Sequence, residues 1–268
     1  MSTDHKIAFL GTGKLGQALL RGLLKAKTSF ALAGSVRTEE SKRKIERAFP
    51  GFEVTLDNKA LLAEARYIIL GVKPQHALEL VGTLRDSIPE GSTLISLCAR
   101  LPIARLREAL GSRDVSVVRL MPNTATENGS GLMGVSVEDS QPLPSELGPL
   151  FAALGEFHVI DEHEMDAFTI LAACTPAFFL RMAEALQESA LKEGFSESFT
   201  RKALGQVLVG AGELLLNSET SISERVAQIA TPGGVTAQGL AQLDEFKLQE
   251  ASFSAFKSAL EKCQSLKL

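Results

Sequence analysis

The sequence predicts an α/β protein in which a doubly wound parallel sheet is followed by an all-helical domain. Over about the first 160 residues, short apolar runs alternate with segments of helical periodicity, which is typical of parallel strands joined by helices. From about residue 162 this alternation stops and only long helical periodicities follow. We therefore expect one domain over residues 1–161 and a second, helical domain over residues 162–268.

A glycine motif follows the first predicted strand. The apolar run at residues 6–10 leads into G-x-G-x-x-G, and apolar residues then recur at helical spacing. In a Rossmann-type turn these glycines permit the tight bend, a close approach of the pyrophosphate and close packing of the helix. The predicted cofactor-binding residues of the turn are Gly11, Thr12, Gly13, Lys14, Leu15 and Gly16. The alternative is a glycine-rich turn in another α/β fold, but the position between strand and helix favours a dinucleotide.

The end of the second predicted strand, Phe30 to Val36, bears on the choice of nucleotide. Sites that prefer NAD place an Asp or Glu there, which accepts hydrogen bonds from the ribose. This chain instead offers Ser35 and Arg37, and a guanidinium with a hydroxyl suits a 2′-phosphate. NADPH is therefore favoured over NADH. The alternative is that Arg37 belongs to a solvated helix face and pairs with nearby glutamates.

Further strands are predicted near residue 54 and over residues 67–72, 93–97 and 115–120, with two closing strands at 131–137 and 157–160. Ligands of doubly wound sheets bind at the carboxyl ends of the strands. The residues at the ends of these strands should therefore line the cofactor crevice. They are Val72, Lys73, Pro74, Cys98, Ala99, Arg100, Met121, Pro122, Asn123 and Thr124.

The helical domain contains predicted helices over residues 166–194 and 198–216 and a helical tail from about 236 to 267, after a break at 231–234. About 100 helical residues hide their apolar positions poorly by themselves. We therefore predict a homodimer formed through this domain. The alternative is that it packs only against the first domain.

Composition excludes several classes of partner. The 268 residues have a net charge of −4, which argues against nucleic acid. The three cysteines form no C-x-x-C pair, so we expect neither a disulfide framework nor a metal site. No uninterrupted apolar run reaches the ~20 residues of a membrane span, and the chain enters its first strand without room for a signal peptide. We expect a cytoplasmic protein without a membrane partner.

Three further motifs follow the glycine turn in order, and they are Val72-Lys73-Pro74, Met121-Pro122-Asn123-Thr124 and Pro232-Gly233-Gly234-Val235-Thr236. With them the chain resembles the pyrroline-5-carboxylate reductase family from about residue 6 to residue 260. The resemblance implies an NAD(P)-dependent oxidoreductase of proline biosynthesis that reduces a cyclic imine, 1-pyrroline-5-carboxylate, to L-proline. It also implies a Rossmann domain and a helical dimerisation domain, with dimers often assembled into larger rings.

The resemblance also implies roles for particular residues. Val72 and Lys73 would contact the cofactor, and Asn123 and Thr124 would lie beside the nicotinamide. Backbone N–H groups of Gly233, Gly234 and Val235 would bind the substrate carboxylate, and loop glycines before a helix do expose such donors. The hydroxyl of Thr236 would hydrogen-bond the ring nitrogen, which makes Thr236 the predicted catalytic residue. A helix N-cap is the alternative role for Thr236.

The chain departs from the family pattern at several positions. Ala173-Cys174-Thr175 replaces a glycine-serine-glycine stretch, and Arg100 stands where the family has glycine. Arg100 is interpreted either as an added carboxylate clamp or as a surface arginine. Two functional alternatives therefore stay open, a reductase of another small imine or keto carboxylate and a catalytically divergent or regulatory NADP-binding paralogue.

Overall fold

A computed structural model describes residues 5–138 and 141–266, and it contains one eight-stranded sheet surrounded and followed by helices. The strands are β1 Lys6–Leu10, β2 Ala31–Ser35, β3 Glu53–Thr55, β4 Ala65–Leu70, β5 Thr93–Ser96, β6 Ser116–Met121, β7 Gly131–Val137 and β8 Gly155–Val159. The α-helices are α1 Lys14–Lys25, α2 Glu39–Ala48, α3 Asn58–Leu62, α4 Pro74–Leu84, α5 Ile103–Leu110, α6 Leu147–Ala152, α7 Met165–Thr169, α8 Thr175–Lys192, α9 Glu197–Leu216, α10 Ile222–Ile229, α11 Val235–Glu245 and α12 Leu248–Gln264. The predicted fold class is confirmed.

The sheet has the strand order β3-β2-β1-β4-β5-β6-β7-β8. Strands β1 to β6 are parallel, β7 runs antiparallel to β6, and β8 is parallel to β7. The order changes direction between β1 and β4, which is the topological switch point where such sheets bind ligands. The carboxyl ends of β1, β2, β4, β5 and β6 therefore meet at one edge.

Two apolar clusters fill the two faces of the sheet. Phe9 of β1 and Ile69 of β4 pack on one face with α1, α2 and α6. Their neighbours Leu10 and Leu70 pack on the other face with α3, α4 and α5. Because both faces are covered, these strands appear in the sequence as continuous apolar runs rather than as alternating patterns.

The chain divides into two compact units. The first comprises the residues up to Ala173 together with those from Ala259 onward, and the second is Cys174–Ser258. The second unit contains α8 to α11 and most of α12, and Thr200 is its only buried residue within the part of the chain that the structure describes.

The helices of the carboxyl-terminal part differ from the prediction in three places. A π-helical turn, Ile170–Cys174, interrupts the predicted helix over 166–194. The predicted tail is two helices, because Lys247 has a φ of 55° and ends the first of them; its predicted end at residue 267 lies outside the described residues. The sequence analysis missed α10, although Ser221 and Glu224 form a capping box at its start.

One helical stretch, Glu162–Lys192, is long and apolar enough to cross a membrane by length and composition, and little of it is buried within the chain. A helix that packs against other protein helices satisfies the same two criteria.

Candidate active site

The turn after β1 brings two strand ends into contact. Gly11 has a φ of +82°, in the region that favours glycine, and a Cβ there would lie 2.7 Å from Cγ1 of Val72. A Cβ on Gly71 would lie 2.6 Å from the carbonyl oxygen of Gly11. The backbones after β1 and β4 therefore approach closely at the switch point, and only glycine fits at either position.

Helix α1 begins with its N-terminal donors uncapped. Gly13 is the N-cap in extended conformation, no side chain caps it, and the first turn contains no acidic residue. A Cβ at Gly13 would lie 3.0 Å from the carbonyl oxygen of Gly71, so a larger residue would crowd this turn. Gln17 donates from Nε2 to the carbonyl oxygen of Thr12 at 2.8 Å and fixes the loop before the helix. Open N–H groups with the positive end of the helix dipole behind them fit a pyrophosphate.

The remaining residues of the motif lie in the first turn of α1. Lys14 is exposed at the start of α1, Leu15 is half-buried, and Gly16 is buried. A Cβ on Gly16 would be 3.5 Å from the carbonyl oxygen of Gly11, an ordinary contact. The close approach to the neighbouring strand thus depends on Gly11 and Gly13 more than on Gly16.

At the end of β2, Ser35 and Arg37 lie in different environments. Ser35 is 2% exposed, and its carbonyl oxygen accepts a hydrogen bond from the N–H of Gly11. Arg37 is exposed, and among the described residues no ion pair engages it. The predicted alternative, in which Arg37 pairs with neighbouring glutamates, is therefore not observed. Its guanidinium is available for a 2′-phosphate.

The segment after β4 turns directly into a helix. Lys73 is the N-cap of α4, and Pro74 follows as its first residue, where the missing N–H costs nothing. Val72 is half-buried against Gly11, and its carbonyl oxygen lies 3.4 Å from Sγ of Cys98. All three predicted residues, 72–74, thus lie at the carboxyl edge of the sheet.

Asn123, after β6, is buried and its amide is engaged within the protein. Oδ1 accepts from the N–H groups of Ala125 at 3.1 Å and Leu132 at 3.4 Å. Nδ2 donates to the carbonyl oxygen of Ala172 at 3.0 Å, in the π-helical turn. Asn123 therefore holds together three segments at this edge, and its position beside the nicotinamide stays a prediction.

Arg100 is engaged by a side chain of the first unit. Its Nη1 donates to Oδ2 of Asp166 at 2.7 Å, and the side chains are 34% and 20% exposed. Its φ of 65° lies in the left-handed region that favours glycine. The guanidinium is thus a partner of α7 and not an isolated surface group.

Three residues near Arg100 form a second polar connection. Nη1 of Arg119, a buried arginine of β6, donates to Oε1 of Glu162 at 2.9 Å. The same oxygen accepts from the N–H of Ile103 at 2.8 Å. This cluster belongs to the first unit, and the sequence analysis did not single it out.

The predicted substrate loop lies in the second unit. Gly233 has a φ of +73°, and Gly234 is the uncapped N-cap of α11. The N–H of Gly234 donates to the carbonyl oxygen of Thr231 at 2.9 Å, which closes the turn. Val235 is 91% exposed and Thr236 is exposed as the second residue of the helix. The N-cap alternative for Thr236 is therefore wrong, because Gly234 occupies that position.

The thiols are poor nucleophiles. Burial raises the pKa of Cys98 to about 11 and also raises the pKa of Cys174. Among the described residues, no group of three His, Cys, Asp or Glu side chains could hold a metal ion. The arrangement therefore provides backbone donors and hydroxyls rather than a nucleophile or a strong acid.

The predicted site residues divide between the two units. The glycine turn, Ser35, Arg37, residues 72–74 and Asn123 belong to the first unit, whereas residues 233–236 belong to the second. Sequence reasoning missed Gly71 and Gln17. Gly71 had a signal, since a glycine directly after the strand beside β1 marks a close backbone approach.

Comparison with known proteins covers both parts of the chain. Residues 6–100 match the family model described as NADP oxidoreductase, coenzyme F420-dependent, and residues 162–266 match the one described as pyrroline-5-carboxylate reductase dimerisation. Pyrroline-5-carboxylate reductase of Methanosarcina acetivorans is 31% identical over 98% of both chains. This chain belongs to the pyrroline-5-carboxylate reductase family. Pyrroline-5-carboxylate reductase 1 of Bacillus subtilis is 26% identical, over 98% of this chain and 90% of its own.

Solved structures of the family have the same fold over nearly the whole chain. A pyrroline carboxylate reductase of Plasmodium falciparum with NADP bound has a TM-score of 0.86 at 25% identity, covering 99% of this chain and 98% of its own. A 1-pyrroline-5-carboxylate reductase of Streptococcus pyogenes has a TM-score of 0.83 at 26% identity, covering 97% and 98%.

Proposed function

We propose that this chain reduces 1-pyrroline-5-carboxylate to L-proline with NADPH, as an oxidoreductase of proline biosynthesis acting on a C=N bond. The observation that carries the proposal is a pair of glycine turns that each open an uncapped helix, Gly13 before α1 and Gly234 before α11. Each offers backbone donors to an anion. One suits a dinucleotide pyrophosphate and the other a substrate carboxylate, and membership of the family supports both assignments.

The turn of residues 11–16 would hold the pyrophosphate, with Val72, Lys73 and Asn123 along the rest of the cofactor. The unpaired guanidinium of Arg37 and the lack of an acid at the end of β2 support NADPH rather than NADH. The bound nicotinamide supplies the hydride.

Reduction of the imine requires few side chains to take part on the substrate side. The carbon of a protonated imine is already electrophilic, so the protein has to hold the imine at contact distance and exclude water. Backbone N–H groups of Gly233 and Val235 would bind the carboxylate, while the N–H of Gly234 closes the turn on the carbonyl oxygen of Thr231. The exposed hydroxyl of Thr236 would hydrogen-bond the ring nitrogen and orient the ring, with no change in its own protonation state.

The helical unit supports assembly into a homodimer. Among its described residues only Thr200 is buried, while large apolar side chains such as Val207, Leu216 and Phe253 are 64%, 87% and 69% exposed. Monomeric proteins rarely leave so many large apolar side chains exposed on one helical unit. We place the dimer interface in the helical domain, residues 162–268, and assembly into a larger ring of dimers would be a further step. The same burial by a second copy accounts for the apolar stretch Glu162–Lys192 without a membrane, in a cytoplasmic protein.

The experiment that tests the function is NADPH oxidation by the purified full chain with 1-pyrroline-5-carboxylate. Parallel assays use NADH and a six-membered cyclic imine carboxylate. Rapid turnover of the five-membered imine, faster with NADPH, is the expected result. Turnover of the six-membered imine alone would assign another substrate, and NADPH binding without turnover of either would refute the reductase.

A further inference from the structure

The backbone at Arg100 is held in a conformation that its side chain disfavours. Its φ of 65° is in the left-handed region, where L-residues other than glycine are strained. Strained positions persist when surrounding contacts over-determine them, and they concentrate at functional sites.

The contact that holds Arg100 is its ion pair with Asp166 of α7, at 2.7 Å. The loop that bears Arg100 is also fixed from the other side. Leu101 is fully buried, and Sγ of Cys98 lies 3.4 Å from the carbonyl oxygen of Val72, which is in the predicted cofactor crevice. Arg100 thus connects the loop after β5, which borders the predicted cofactor crevice, to α7.

Asp166 belongs to a segment with two more polar connections to the sheet. At its beginning, Glu162 accepts from Arg119 and from the N–H of Ile103. Near its end, the carbonyl oxygen of Ala172 accepts from Asn123. We call residues 162–173 the lead segment, because the next residue, Cys174, begins the second unit. The Arg100 pair fixes the lead segment between these two connections.

We propose that Arg100 is a positioning residue for the reaction. Through Asp166 it fixes the lead segment against the loop after β5, so that the polypeptide leaves the cofactor-binding unit from a defined point. This inference rests on the proposed function, in which the hydride donor and the residues that bind the imine lie in different units. Hydride transfer depends steeply on the distance between donor and acceptor.

The kinetic test compares Arg100→Ala, Asp166→Asn and the double variant in the full chain. Each single variant should lower kcat/KM for 1-pyrroline-5-carboxylate about tenfold, and the double variant should lose no more than either. The Kd of NADPH, measured by fluorescence, should change less than twofold. Arg105→Ala removes a guanidinium paired with Glu108 on the surface of α5 and is the matched control, with wild-type kinetics expected.

Two further variants separate the guanidinium from the backbone. Arg100→Gly relaxes the backbone and should fold well, yet it should show the same kinetic loss as Arg100→Ala. Arg100→Lys keeps a cation within reach of Asp166 and should recover most of the activity. Wild-type kcat/KM in Arg100→Ala and Arg100→Gly, with only the melting temperature changed, would overturn the proposal.

An experiment without turnover keeps this inference separate from the proposed function. Amide hydrogen exchange over residues 162–173 should speed up in Arg100→Ala and stay unchanged in Arg105→Ala. Faster exchange shows that Arg100 fixes the lead segment even if the wild-type chain fails to reduce the imine, a failure that would refute the reductase and not this contact. Unchanged exchange in Arg100→Ala overturns the positioning role.

Discussion

Replacing Arg100 by glycine and by alanine should give different stabilities, with glycine the more stable. Both variants lose the ion pair with Asp166, which is partly exposed to solvent and contributes about 1–2 kcal/mol. Only alanine keeps the strain of the left-handed backbone, which costs about 1–2 kcal/mol. Glycine instead loses about 0.5–1 kcal/mol through its greater unfolded-state entropy. The difference between the two variants is therefore about 1 kcal/mol in favour of glycine.

Arg105 provides a control with the opposite sign. It lies inside α5, where its φ is helical and glycine is about 1 kcal/mol worse than alanine. The Arg105→Gly variant should therefore melt below Arg105→Ala, whereas Arg100→Gly should melt above Arg100→Ala.

The measurement is thermal unfolding at one fixed protein concentration, since association with a second copy raises the apparent stability. For a chain of this size, 1 kcal/mol corresponds to a shift of roughly 2–4 °C. An Arg100→Ala variant that melts at or above Arg100→Gly, while the Arg105 pair behaves as expected, would refute the strain at residue 100.

Substitutions at three further positions test the proposed site. Gly13→Asp should weaken NADPH binding by roughly 100-fold or more, because its carboxylate would lie against the negatively charged pyrophosphate. Unchanged affinity in a fluorescence titration would contradict the binding of the pyrophosphate by the glycine turn. Arg37→Ala should raise the KM of NADPH about tenfold through loss of one charge-assisted contact, with the KM of NADH as the internal control that should not change. Thr236→Ala should lower kcat by roughly tenfold with cofactor affinity unchanged, and Thr236→Ser should restore it; wild-type turnover in the alanine variant would remove Thr236 from the reaction.

Local patterns in the sequence sufficed for the architecture of the first unit. Buried parallel strands are short apolar runs, so β1, β4, β5 and β6 were predicted close to their observed bounds. The glycine turn was recognisable because its neighbours define a strand and a helix. Interruptions of helices were harder to foresee. The residues of the π-helical turn are themselves apolar, and the break after α11 falls at Lys247, although lysine is common within helices.

The polar contacts of the site depended on distant partners. Arg100 and Asp166 are separated by 66 positions, and Asn123 and Ala172 by 49. Nothing local indicates such a pairing, so the sequence left Arg100 with two interpretations, neither of which included Asp166. The short helix α10 is a different case, since its capping box was visible in the sequence and was overlooked.

The near absence of buried residues in the second unit has a consequence for how the protein reaches its native state. The first unit has its own core and can fold at a rate independent of concentration, whereas the described helices of Cys174–Ser258 enclose almost no apolar interior. In the proposed dimer these apolar side chains gain burial when two molecules meet, so ordering of this unit should be a bimolecular step. In refolding experiments the formation of the sheet should therefore be independent of dilution, while the acquisition of activity should slow as the protein is diluted.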